Sequence, residues 1–215
     1  MALEIIIPVA VLAIGAGVKL ISHLISTWGH KNVTPESLRE QVELSQTDRE
    51  KIDETRELIR DMFGDNVAEK FKNASNVERI NMVNDFAHRL AKLYGLDDVD
   101  IDVVIDNVSL CGYYCHSQHQ ARFNILALTN GVDSPNYAAL VKDMLDTVIH
   151  ELRHAVQFKA VENDGFWNVD DKRRAAWASN VKNYISASTD MRGYMQQPLE
   201  ADAYVFAGLV MEGVN

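Results

Sequence analysis

The chain has 215 residues, a net charge of −10 and 47% hydrophobic residues, enough apolar material for one domain of ordinary size and too much for a disordered chain. Its 21 Lys and Arg against 31 Asp and Glu gather into no basic cluster, which argues against nucleic acid as a partner. Two cysteines, Cys111 and Cys115, are too few for a disulfide framework and are expected to be reduced thiols.

Residues 5–18 carry no charge, and the apolar run continues past Lys19 to Ile21. A membrane helix needs about 20 apolar residues, so the run is short, and a snorkelling Lys19 is what makes a thin span feasible. The first reading of residues 5–21 is an uncleaved membrane anchor within an N-terminal segment, 1–30. A buried or partner-binding helix is the second. A cleaved signal peptide is the third, since the start is not basic and no small-residue triplet follows the run. Lys19 and Lys31 lie on the C-terminal side, so an anchor would leave the main domain in the cytoplasm.

Thr34-Pro35 reads as a helix start, with a short helix to about Leu44. Thr47 and Glu50 fit a capping box for a helix that runs to about Phe63 and ends at Gly64. The density of mixed charge over 31–75 suggests a solvated helical linker. Ser75 and Glu78 form a second capping box. Val77, Ile80, Val83, Phe86, Ala87 and Leu90 then recur at helical spacing up to Gly95. The period next changes to two: Ile101, Val103 and Ile105 alternate with Asp100, Asp102 and Asp106, a half-buried strand. Residues 110–128 read as one or two further strands. Asn130-Gly131 marks a turn, and Ser134-Pro135 opens a long helix.

That helix contains His150-Glu151-Leu152-Arg153-His154, an HExxH motif. At about 100° per residue, Val141, Leu145, Val148, Leu152, Ala155 and Val156 share an arc of roughly 100°. His150 and His154 fall about 40° apart on the far side from it. Residues i and i+4 of a helix can converge on one zinc ion through imidazole nitrogens. Glu151 is then expected at the open position, taking a proton from water there and delivering it to a leaving amine. A catalytic zinc site needs a third protein ligand. The HExxH-x-x-G-x-x-H extension is absent, because Gln157 and Ala160 stand at its glycine and last histidine positions. The best candidate is Glu200, in the first turn of a helix starting near Pro198. Asp202 is the rival ligand, or otherwise a group that orients a histidine.

These motifs resemble the gluzincin branch of zinc peptidases, in which HExxH is completed by a glutamate on a second helix. The closest likeness is to the small ImmA/IrrE-type metallopeptidases, whose glutamate helix reads roughly E-x-x-A-N-x-F-A. Glu200, Ala203, Phe206 and Ala207 match that pattern, and Tyr204 stands in place of its asparagine. The resemblance implies an α+β, zincin-like domain over 76–215. It would have a small mixed or antiparallel sheet, the HExxH helix and a C-terminal glutamate helix, with N-terminal helices in front. It further implies zinc as cofactor and a protein or peptide as substrate. An edge strand just before the HExxH helix would hold that substrate extended, which points to Phe123, Asn124, Ile125 and Leu126. Tyr194 is the first candidate for the oxyanion stabiliser, with Tyr184 behind it. Two rivals remain: a zincin-like module that binds zinc without hydrolysis, and a membrane-tethered helical interaction protein with an accidental HExxH.

Overall fold

The computed structural model describes residues 6–9, 35–107 and 111–214. Strand β1 (Ile6–Val9) comes first, followed by helices α1 (Pro35–Arg39), α2 (Gln46–Phe63), α3 (Val67–Asn73) and α4 (Asn76–Leu93). Strands β2 (Asp100–Val104), β3 (Gly112–Cys115) and β4 (Gln120–Asn124) follow. The chain ends in helices α5 (Leu126–Asn130), α6 (Tyr137–Glu162), α7 (Asp171–Lys182), α8 (Met191–Gln196) and α9 (Pro198–Met211). The architecture is α+β, mostly helical with a small mixed sheet.

Local chemistry explains most helix ends. The Ser75–Glu78 capping box closes as expected: Ser75 N donates to Glu78 Oε2 at 2.6 Å, and Glu78 N to Ser75 Oγ. The α2 box is shifted by two residues from the expected Thr47–Glu50 pair. Ser45 is the N-cap, and its N donates to Asp48 Oδ2 at 2.7 Å. Gly64 ends α2 with a positive φ of 76°, its N–H reaching Arg60 O at 2.8 Å, a conformation that glycine adopts without steric cost. Val77, expected on the core face of α4, is 66% exposed.

The charged region 31–75 is not a separate linker where it is described. Ile52, Ile59 and Phe63 of α2, with Val67 and Phe71 of α3, enter the same core as α4 and α6. Apart from the buried Asp48, the charges of these helices lie on their outer faces, and the inner stripe is mostly apolar.

The sheet order is β1-β3-β4-β2, with β2 parallel to β4, β3 antiparallel to β4 and β1 antiparallel to β3. Two expectations are corrected here. Residues 6–9 of the apolar N-terminal run form a strand and not part of a helix over 5–21; β-branched Ile6, Ile7 and Val9 suit a pleated strand. The rest of that run lies outside the described residues, and among the described residues no helix is long and apolar enough to cross a membrane. Second, β4 has a neighbour on each side, so it is no edge strand. Phe123 and Ile125 are buried, Asn124 spends its side chain on the Asp106 and Leu126 main chain, and Leu126 already belongs to α5.

Helix α6 runs through the middle of the molecule, between the sheet and α9, and is buried on nearly every face. The expected core arc is in place, and the opposite face, with both histidines, is covered as well. Strand β3 lies hard against α6: a Cβ at Gly112 would meet Thr147 Cγ2 at 2.8 Å and Arg122 O at 3.2 Å. Only glycine allows this approach. One helical turn after Thr147 comes Glu151, and two residues along β3 from Gly112 comes Tyr114.

A ring of four charges, Asp48, Arg153 and Asp202 buried and Arg173 partly exposed, ties the helices together. Asp48 (α2) pairs with Arg153 (α6) at 2.8 Å and with Arg173 (α7) at 2.6 Å. Asp202 (α9) pairs with Arg153 at 2.8 Å and also with Arg173. Trp167 Nε1 adds a hydrogen bond to Asp48 Oδ1 at 2.8 Å, and the Arg153 guanidinium lies 4.5 Å from the Phe206 ring centre. Burial works to raise the Asp48 and Asp202 pKa values, but Arg153 and Arg173 outweigh it and hold both carboxyls below their usual range. Such depressed carboxylates stabilise the fold above their unfolded pKa of about 4 and lose that contribution as pH falls through the folded values. Asp48→Asn leaves Arg153 short of a carboxylate and is expected to cost about 3–5 kcal/mol at neutral pH. In urea unfolding measured from pH 7 down to pH 3, the gap between wild type and variant should narrow below about pH 4.

Candidate metal centre

Three ligand atoms converge between α6 and α9. His150 Nε2 and His154 Nε2 are 3.0 Å apart; His150 Nε2 is 3.3 Å from Glu200 Oε2, and His154 Nε2 is 3.4 Å from Glu200 Oε1. Atoms held about 2.0–2.1 Å from a tetrahedral zinc lie about 3.3–3.4 Å from one another, so the observed triangle fits such an ion with little adjustment. Among the described residues this trio is the one group of three His, Cys, Asp or Glu side chains close enough to hold a metal. Cys111 and Cys115 are free thiols, and with His116 and His119 they form no such group.

The sequence places each ligand by local rules. His150 and His154 are one turn apart on α6, with ring centres 4.7 Å apart. Pro198 starts α9, which puts Glu200 in its first turn, facing α6. The charge ring fixes the rest: Arg153 sits between the two histidines in sequence, and Asp202 is two residues beyond Glu200. Their ion pair sets α9 against α6 at the ligand level.

The electrostatics of the trio suit a positive charge at its centre. Burial lowers the basicity of His150. Burial has the same sign at His154, but Glu200 and Glu151 overcome it and push the group up to about 9. For Glu200, burial acts upward while His154 and His150 act downward and win, leaving the carboxylate ionised. A proton between the trio is the stand-in for a metal's positive charge.

Glu151 is fully buried, and neither of its carboxylate oxygens completes a hydrogen bond. Burial pushes it up to about 8, with His154 opposing and Glu200 adding to the shift. The main chain of Tyr114 in β3 lies against the same carboxylate. A buried carboxyl this poorly satisfied is costly, and such groups call for a functional account.

Asp202 is not a ligand. Its oxygens serve Arg153, Arg173 and Gln157 Nε2, the last at 2.7 Å. Gln157 also donates to Leu199 O at 2.9 Å, so its Oε1 is left to face His154 Nδ1 at 2.8 Å. That oxygen can only accept, which puts a proton on Nδ1 and turns Nε2 to the centre. Asp202 therefore acts on the histidine through Gln157. Sequence reasoning missed Gln157, although a polar residue three positions after His154, amid Ala155, Val156 and Phe158, was the available signal.

Of the two tyrosines, Tyr184 is the one that contacts the trio. Tyr184 Oη donates to Glu200 Oε1 at 2.7 Å. Tyr194 is buried behind it, hydrogen-bonded with Tyr184 and Tyr204, its ring centre 6.2 Å from that of Tyr184. Tyr204 packs its ring edge on His150, with centres 4.6 Å apart. Phe123, Asn124, Ile125 and Leu126 are not brought to the trio; the strand facing Glu151 is β3.

Compared with known proteins, the chain matches no known family, no curated sequence and no solved structure. The site itself defines a buried two-histidine, one-glutamate cluster that could hold a metal ion, with a buried carboxyl alongside that no side chain hydrogen-bonds.

Gln157→Leu removes the acceptor that orients His154. Zinc affinity, measured by competition with a chromogenic chelator, is expected to fall about 10- to 100-fold. His154→Ala, which deletes a ligand, should fall further than that.

Proposed function

We propose that this chain is a zinc-dependent endopeptidase acting on a protein or peptide, with a zincin-like domain of the gluzincin kind. The observation that carries the reading is the trio at zinc spacing beside the buried Glu151 carboxyl, which no side chain hydrogen-bonds and only the Tyr114 main chain approaches. An HExxH helix packed on a mixed sheet and met by a helix bearing a glutamate supports the likeness to the ImmA/IrrE-type peptidases.

His150, His154 and Glu200 would hold the ion. Bound zinc supplies Lewis acidity, which polarises a carbonyl and makes a water acidic near neutral pH. Glu151 is the proton carrier: its carboxylate accepts a proton from water and hands it to the amine nitrogen as the peptide bond breaks. A pKa raised to about 8 makes it a better base than an ordinary glutamate, and a positive ion in the site would draw it back toward neutral pH. Tyr184, whose hydroxyl already reaches Glu200, is the donor best placed to meet a developing oxyanion. Substrate would lie extended along β3, the strand facing Glu151, and not along β4.

The purified protein is expected to carry one zinc per chain by elemental analysis, and absence of stoichiometric metal would remove the hydrolase reading. Glu151→Gln should keep its zinc while hydrolysis of a peptide library falls at least about 100-fold. Zinc at full occupancy in a wild type that cleaves nothing would favour a zinc-binding module without turnover.

A further inference from the structure

The peptide-binding edge of this site is already taken. Asn124 N donates to Cys111 O at 2.8 Å across the β3–β4 pair. Hydrogen-bonded positions alternate along an antiparallel strand. Cys111, Tyr113 and Cys115 therefore turn their main-chain groups toward β4, and Gly112 and Tyr114 turn theirs to the outer side. That outer side is where Ile6–Val9 lies, with Ile7 opposite Tyr114 and Val9 opposite Gly112. Pro8, opposite Tyr113, sits where no N–H is wanted, because its nitrogen points away from β3. Tyr114, whose main chain lies against Glu151, is thus the residue that Ile7 occupies. The four groups of the site are 0–1% exposed, so the cleft is closed as the chain is folded here.

From this register we infer that Ile6–Val9 is an intramolecular occupant of the substrate edge, an autoinhibitory strand that an extended peptide must displace from β3. The inference rests on the peptidase reading, in that the edge matters only if Glu151 serves a substrate there. It also fixes the kind of ligand the edge takes: a main chain running antiparallel to β3, read at every second residue by hydrogen bonds to Gly112 and Tyr114.

The test uses the full chain loaded with zinc. Ile7→Pro with Val9→Pro removes the two N–H groups that face β3, and Pro8→Ala, which alters only the outward side, is the control. Amide exchange at Gly112 and Tyr114 should quicken roughly tenfold or more in the double variant and stay slow in the control. A fluorescent peptide with the sequence of residues 4–11 should bind the double variant and not the wild type. Peptide hydrolysis by the double variant should exceed wild type by roughly tenfold or more, and the added peptide should suppress it. If no form hydrolyses anything but the exchange and peptide-binding results hold, the hydrolase reading fails and the occupied edge stands. Unchanged exchange at both amides, failure of the peptide to bind the opened edge, or equal hydrolysis by wild type and an exchange-quickened double variant overturns the inference.

Discussion

The ion pair between Arg153 and Asp202 is the constraint from which the site follows. A guanidinium this deep is tolerable only with its charge matched, and the ring closes at two positive and two negative groups. Four helices supply its members, so α2, α6, α7 and α9 cannot shift independently without exposing a bare charge to an apolar interior. The ring is therefore a register pin. It fixes which turn of α9 faces which turn of α6, and the ligand trio lies one step to the side of that contact. The spacing of the His150, His154 and Glu200 cluster is inherited from a structural contact outside it.

The consequence is a division of labour along one helix turn. His150 and His154 face α9 through their ring nitrogens, Arg153 faces the ring of charges, and Glu151 faces β3. Leu152 alone serves the apolar core. The two variable positions of the motif are therefore not spacers in this protein, because one of them carries the charge that holds the second ligand helix in place.

Much of this was legible in the sequence because it is local. The i, i+4 histidines, the glutamate after a helix-starting proline and the Ser75–Glu78 cap each depend on contacts within one turn, and all stand in the structure. What depends on distant partners was not legible. Asp48 and Arg153 are 105 residues apart, and nothing near Asp48 announces a buried ring. Strand order is set by tertiary pairing, so the run before the HExxH helix, apolar enough for an edge strand, is an interior strand. The apolar start of the chain misled for the same reason. A run of Ile and Val suits a membrane helix or a strand equally well, and only the neighbour at β3 decides between them.

The two borders of the sheet are built differently. On the β2 side, Asp100, Asp102 and the following Asp106 fringe the outermost strand, and Arg122 approaches two of them at 3.6 Å. Charges along a border discourage a second chain from stitching itself on. On the other side, Pro8 blunts the outermost strand for as long as it stays docked. Detaching that strand bares an uncharged border, Gly112–Cys115, with its main-chain groups unsatisfied. A form of this protein freed of its first residues thus faces a colloidal hazard: self-association through that one border, growing with concentration and relieved by any peptide that occupies it.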